Sequence, residues 1–228
     1  CASGLQAIAM AAGRIVLEGV PAMIAGGVES CSQIQGRSAT DAGSTGIDPW
    51  IAEHKPELYL SMIQTADIVA RRYGITREDQ DRFAAESQRR TAQAQENGVF
   101  RDEIIACATT MAVKDKESGA VSQVAVTVDH DTCNRPGTTY DNLAKLAPVM
   151  GPDQFITAGN ASQLSDGAAA CVLVEAREAE RLGLEPLGAF RGLAIAGCEP
   201  DEMGIGPVFA VPRLLQRYGL KMDDIGLW

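Results

Sequence analysis

The sequence predicts an α/β class, and three stretches of it carry that prediction. Residues 1–19, CASGLQAIAMAAGRIVLEG, place Leu5, Ile8, Ala9, Ala12, Ile15 and Val16 at steps of three and four, which makes one continuous helical face. Gly19 breaks that helix, and VPAMIAGGVES (20–30) reads as a short buried strand running into a glycine turn. Much later, residues 168–174 form an apolar run followed by a helical stretch to Leu182. Helix and strand, each apolar on a face, are the parts of a layered α/β unit.

The remaining elements follow from local signals. Residues 32–56 are rich in Gly, Ser, Thr, Asp and Pro and read as a long irregular excursion of the kind that carries function. A helix is expected over 65–73, ending at Gly74. A second is expected over 77–97, with Thr76 as its cap and Asp79 three residues on completing an approximate capping box. The charge on this second helix reads as a solvated face. Strands are expected at 104–113 and 121–128 around the turn KDKESG, a short helix at 140–145, and an extended piece at 155–158. Residues 188–196 read as a strand, 198–210 as a glycine-rich loop and 211–218 as a helix.

Composition narrows the function. At 228 residues the chain holds one large or two small domains with real cores. A net charge of −10 speaks against a broad nucleic-acid or anionic-membrane surface. No window approaches the roughly twenty apolar residues of a membrane span. The six cysteines are dispersed, with no C-x-x-C, and the only histidines, His54 and His130, are far apart, so no metal site is expected. Dispersed thiols fit a reducing compartment, and a cytoplasmic location is expected. Both ends read as cut: the chain starts at a helix without a methionine and stops in the lead-in to a strand, so a fragment is expected.

Cys1 is the first chemical candidate. At a helix N-terminus, unpaired N–H groups and the positive end of the dipole converge on the thiol, and such thiols ionise at roughly pH 3.5–7.5. Position alone fits a buried structural cysteine equally well. Two further segments stand out, N-A-S-Q-L-S-D-G-A-A-A (160–170) and M-G-I-G-P (203–207). By itself, GAAA reads as close packing of a strand on a helix. MGIGP lacks the third glycine and the strand-to-helix turn of a dinucleotide site.

In this order the segments resemble the thiolase family. CASGLQAIA resembles its nucleophile segment, AGGVES its glycine-Glu segment, and TADIVARRYGITREDQD its TAEN-V-A helix with the following YGI-[ST]-R-E-x-Q-D. RPGTTYDNLAKL, TAGNASQLSDGAAA and MGIGP complete the series, which runs essentially from end to end. The resemblance implies a layered αβαβα thiolase fold, held here in part. Residues 1–30 and 165–185 would belong to the N-terminal domain, 31–164 to the CoA-binding loop domain, and 186–228 to the start of the C-terminal domain.

It also implies a function. The family transfers acyl groups between acyl-CoA and acetyl-CoA, cleaving 3-ketoacyl-CoA or forming it by condensation. Cys1 matches the nucleophile that carries the acyl group as a thioester. By motif match Ser162, Leu164 and Ala158 line the pantetheine channel, Arg135 and Asn142 lie at the nucleotide end, and Met62 and Met203 wall the acyl pocket. Coenzyme A would be a co-substrate, with no permanently bound cofactor and no metal. Family habit implies a homo-oligomer, a dimer or tetramer, with no nucleic-acid or membrane partner.

Asp166 reads as structural, and neither histidine lies in the family's glycine-His-proline context. The family's N-E-A-F, G-H-P and C-x-G-G-G segments do not occur in the sequence, so the polypeptide alone is expected to be inactive and to expose apolar surface. Ser61 stands where acetoacetyl-specific members commonly carry histidine, which leans toward a broader 3-ketoacyl-CoA thiolase. The competing readings are a ketoacyl synthase, which RPGTT and MGIGP fit less well, and a non-catalytic thiolase-like lipid-binding or carrier protein, against which Cys1 argues.

Overall fold

A computed structural model describes residues 1–34 and 46–228 of the chain. In chain order the helices are α1 (Ser3–Glu18), α2 (Cys31–Ile34), α3 (Pro49–His54), α4 (Met62–Tyr73), α5 (Arg77–Glu96), α6 (Tyr140–Leu143), α7 (Ala176–Arg181) and α8 (Gly206–Tyr218). The strands are β1 (Ala22–Glu29), β2 (Cys107–Lys114), β3 (Val121–Val128) and β4 (Gly167–Val174). The chain divides into two compact units, one of Cys1–Val69 with Leu164–Trp228 and one of Ala70–Gln163.

The first unit is built on an antiparallel ribbon of β1 and β4, in register from Ala22 opposite Val174 to Glu29 opposite Gly167. Helix α1 packs on it and ends at Gly19, whose φ of 71° is the left-handed conformation a helix C-terminus favours. Close approach explains the small residues on the ribbon: a Cβ on Gly26 would sit 2.9 Å from the Ala169 carbonyl oxygen and 3.1 Å from Ala170 Cβ. The expected apolar face of α1 is only partly covered. Ala11 and Ala12 are buried, while Leu5 is 60% and Val16 80% exposed. Two strands about 4.8 Å apart cover a narrow stripe, not a whole helical face.

Four local expectations change in this unit. Within the excursion expected over 32–56, residues 35–45 lie outside the described residues, and Pro49–His54 is helical rather than irregular. Asp48 caps that helix, its carboxylate accepting the Ile51 N–H at 3.1 Å. Helix α4 begins at Met62, three residues before the expected start, because Ser61 and Gln64 form a reciprocal cap: Ser61 Oγ accepts the Gln64 N–H at 3.3 Å and Gln64 Oε1 accepts the Ser61 N–H at 2.9 Å. The expected strand at 188–196 pairs with nothing in the described sheets. Its carbonyls are taken instead by arginines of α8, Arg217 donating to Leu193 at 2.9 Å and Arg213 to Ile195. Finally, the glycine-rich stretch is a 3-10 turn, Pro200–Ile205, that runs straight into α8 at Gly206. Pro207, in that first turn, has no N–H to leave unpaired.

The second unit is organised around α5. Thr76 caps it, its hydroxyl accepting the Asp79 N–H at 3.1 Å while the Asp79 carboxylate accepts the Thr76 N–H at 3.1 Å. Strands β2 and β3 form a hairpin from Cys107 opposite Val128 to Lys114 opposite Val121. Its turn is closed by the Asp115 carboxylate, which accepts the N–H and hydroxyl of Ser118 and the N–H of Glu117; these bonds hold the carboxyl below its usual range. The piece expected to be extended at 155–158 is irregular and turns at 158–160. Within it Ile156 and Thr157 are buried, as are Leu143 and Asp81 elsewhere in this unit.

Candidate functional site

Cys1 is exposed, immediately ahead of α1. Ala2 stands at the cap position, makes no side-chain cap, and accepts the Gln6 N–H through its carbonyl at 3.0 Å. The first turn therefore offers backbone N–H groups that no capping side chain occupies, beside a nucleophilic sulfur. An oxyanion forming next to that sulfur would meet fixed donors.

The other expected site residues of this unit are exposed. Met62, the first residue of α4, is 62% exposed, and Met203, in the 3-10 turn before α8, is 43% exposed. Leu164 is 70% exposed. Lys55, ahead of the 3-10 turn Pro56–Tyr59, pairs with Glu199, ahead of the turn Pro200–Ile205, and that carboxylate raises the lysine's pKa.

In the second unit Arg135, Asn142, Ala158 and Ser162 are all exposed, and each lies on a segment tied to α5 or to a neighbouring segment. Gln88 Oε1 accepts the Arg135 N–H at 2.7 Å. Asn142 lies in α6, capped by Thr139, and Arg77 Nη2 donates to the Leu143 and Leu146 carbonyls at 2.8 and 3.0 Å. Asn160, between Ala158 and Ser162, donates to Asp81 Oδ1 at 3.0 Å, and Asp81 Oδ2 accepts from Arg77 Nε at 2.7 Å. Gln163 donates to the Cys133 carbonyl at 2.9 Å. A cleft of about 350 Å³ lies against the same helix, lined by Arg89, Gln93, Glu96 and the turn Gly137–Thr138–Thr139 that follows Arg135.

These bonds correct the reading of α5 as a solvated face. Its outer side is indeed laced with exposed pairs, Arg82 with Glu78 and both Arg89 and Arg90 with Glu86. Its inner side is polar as well, and Asp81 is fully buried there. Arg77, Asp81 and Asn160 lie inside the matched segments TADIVARRYGITREDQD and TAGNASQLSDGAAA, where they were given no role, and Gln88 lies outside them. The available signal was spacing: Arg77, Asp81, Gln88 and Gln95 recur at four, seven and seven residues, one face of a helix.

The histidines take structural positions. His54 stacks on Trp50 with ring centroids 4.3 Å apart and bonds the Trp50 carbonyl at 2.8 Å. His130 is exposed and bonds Asp129 at 2.6 Å, which holds that carboxyl below its usual range. No group of three or more His, Cys, Asp or Glu among the described residues is placed to hold a metal ion.

The model of the thiolase N-terminal domain matches residues 1–177, and that of the thiolase C-terminal domain matches residues 184–228. The chain belongs to the thiolase family. It is 43% identical to the 3-ketoacyl-CoA thiolase of Bacillus subtilis (strain 168) over 228 residues, covering all of this chain and 57% of that protein. Among solved structures, the dimeric peroxisomal thiolase of Saccharomyces cerevisiae matches with a TM-score of 0.81 and 30% identity, over 100% of this chain and 55% of that one. Human mitochondrial 3-ketoacyl-CoA thiolase in complex with CoA matches with a TM-score of 0.77 and 31% identity, over 100% and 56% of the two chains. The fold is therefore a thiolase fold throughout, and the chain spans about half the length of the thiolases it matches.

Proposed function

We propose that the protein is an acyl-CoA C-acyltransferase that carries its acyl group on Cys1. In the first step the Cys1 sulfur attacks the thioester carbonyl, the carbonyl electrons move onto oxygen, and the first-turn amides of α1 stabilise that oxyanion. Collapse re-forms the carbonyl and expels the CoA thiolate, which takes up a proton in place of the one that Cys1 gave up on attack, so that no net proton is gained or lost. The acyl group is left as a thioester close in energy to the one that was broken. The observation that carries this reading is an exposed cysteine at an uncapped helix N-terminus in a thiolase fold.

In this reading Arg135, Asn142, Ala158, Ser162 and Leu164 contact CoA, and Met62 and Met203 wall the acyl pocket, where a flexible thioether adapts to different chains. The domain division is that of the sequence reading, with 31–164 as the CoA-binding portion. The substrates are 3-ketoacyl-CoA with CoA, or acetyl-CoA with acyl-CoA, in fatty-acid metabolism. Ser61, ahead of Met62, favours the broader 3-ketoacyl specificity. Assembly as a dimer or tetramer is supported by the description of the matched Saccharomyces cerevisiae thiolase as dimeric. A reducing, cytoplasmic setting is supported by six unpaired cysteines.

The test is to give acetyl-CoA to the full-length gene product and weigh the protein. An acetyl mass on the peptide containing Cys1, lost in Cys1→Ala, is expected. Absence of covalent loading in the unsubstituted protein overturns the reading.

A further inference from the structure

We propose that Asn160, held by the buried carboxylate of Asp81, is the positioning residue of the CoA-binding turn at 157–163; the proposal rests on the acyl-CoA reading above. Asn160 uses its side-chain amide on both sides of the turn. Its Oδ1 accepts the Thr157 N–H at 2.8 Å, and its Nδ2 donates to the Phe155 carbonyl at 3.1 Å and to Asp81 Oδ1 at 3.0 Å. Thr157 Oγ1 accepts the N–H groups of Gly159 and Asn160 at 3.2 and 3.3 Å, so the turn closes around Ala158. Ser162 follows two residues after Asn160.

The far side of the anchor is equally defined. Asp81 has no exposure to solvent and is held by Arg77, whose second nitrogen takes the carbonyls of Leu143 and Leu146, just past Asn142. One polar chain thus runs from the end of α6 through Arg77 and Asp81 to Asn160. Burying a charge pair is a poor way to gain stability, since an apolar substitute of the same shape commonly does as well. What the pair supplies is geometry: each donor and acceptor fixes one backbone position. The positions fixed here flank Asn142, Ala158 and Ser162, and Gln88 on the same helical face fixes Arg135.

The experiment is steady-state thiolysis by the full-length gene product with CoA varied, alongside acetyl loading of Cys1 and thermal melts. Asn160→Asp sets a carboxylate against Asp81 and deletes the donor to Phe155. It is expected to raise the KM for CoA about tenfold, the equivalent of one hydrogen bond, while kcat moves much less. The exchanged pair D81N/N160D restores one donor–acceptor contact and is expected to recover most of that rise. Gln88→Ala is expected to raise the same KM by roughly threefold, a fraction of one such bond. If the unsubstituted protein never loads Cys1, the acyl-CoA reading falls and this proposal with it. If it loads and turns over, but a folded Asn160→Asp keeps the original KM for CoA, the positioning role is wrong and the reading stands. Should Asn160→Asp fail to fold, Asn160→Ser decides: it sets no charge against Asp81 and does not reproduce the amide's three contacts, and an unchanged KM for CoA overturns the proposal.

Discussion

Replacing Arg77 by alanine is the sharpest test of how the second unit is held together. The substitution removes three hydrogen bonds at once, to Asp81 at 2.7 Å and to the Leu143 and Leu146 carbonyls at 2.8 and 3.0 Å. The Asp81 side chain is 1% exposed, so water cannot take the cation's place without opening the structure. A carboxylate stripped of its buried partner costs roughly 3–5 kcal/mol. Against a usual domain stability of about 5–15 kcal/mol that is roughly a fifth or more of the whole. Urea unfolding followed by far-ultraviolet circular dichroism should show a much lower midpoint with an unchanged slope. Arg77→Lys, which keeps a charge but not the forked geometry, should fall between. Replacing both partners, Arg77→Met with Asp81→Leu, should recover a large part of the loss, because no charge is then left buried alone. A loss below about 1 kcal/mol for Arg77→Ala would refute the reasoning, since a hydrated surface pair behaves that way.

Two other predictions bear on stability. Gly26→Ala should destabilise the β1–β4 ribbon by about 1–3 kcal/mol, because its methyl meets the Ala169 backbone oxygen. Gly27→Ala should cost far less, since a methyl there meets nothing within 4 Å; equal midpoints for the two variants in denaturant melts would contradict the packing described. Arg89 and Arg90 hold the Glu86 carboxyl at about 2 rather than 4.5. The folded protein therefore binds that proton less readily than the unfolded chain, so the contribution is complete above about pH 4.5 and is lost as pH falls toward 2. The difference in thermal midpoint between the parent and Glu86→Gln should be small, shrink over that window and weaken with salt; a gap that widens on acidification would count against the assignment.

Much of the architecture was legible because it rests on local signals. The period of α1 and its Gly19 stop, the Thr76–Asp79 cap of α5 and the turn between β2 and β3 are each written within a few residues. Misreadings arose where the signal was reciprocal or long-range. Ser61 and Gln64 begin α4 by capping each other, and a cap of that kind is invisible when a helix start is judged from apolar spacing alone. Residues 188–196 have the composition of a strand, but a strand is defined by its partner, and arginines from α8 occupy the carbonyls instead. The nucleophile segment could be recognised because its chemistry sits on one helix end. Asp81 and Asn160 also fall in matched segments, but their pairing was not legible: they are 79 positions apart, and a buried carboxylate looks in sequence like any other charge on a charged helix.

The polar underside of α5 also restricts how that helix can seat. An oily stripe tolerates sliding, because one leucine replaces another when a helix moves along its axis by a turn of about 5.4 Å. Here a slip of four residues would bring the Asp81 carboxylate toward the carbonyls that Arg77 now serves and would offer Ala85 to the Asn160 amide. Every bond would be lost together, so a misaligned docking has no partial credit, and the loops hung on this helix inherit a single address.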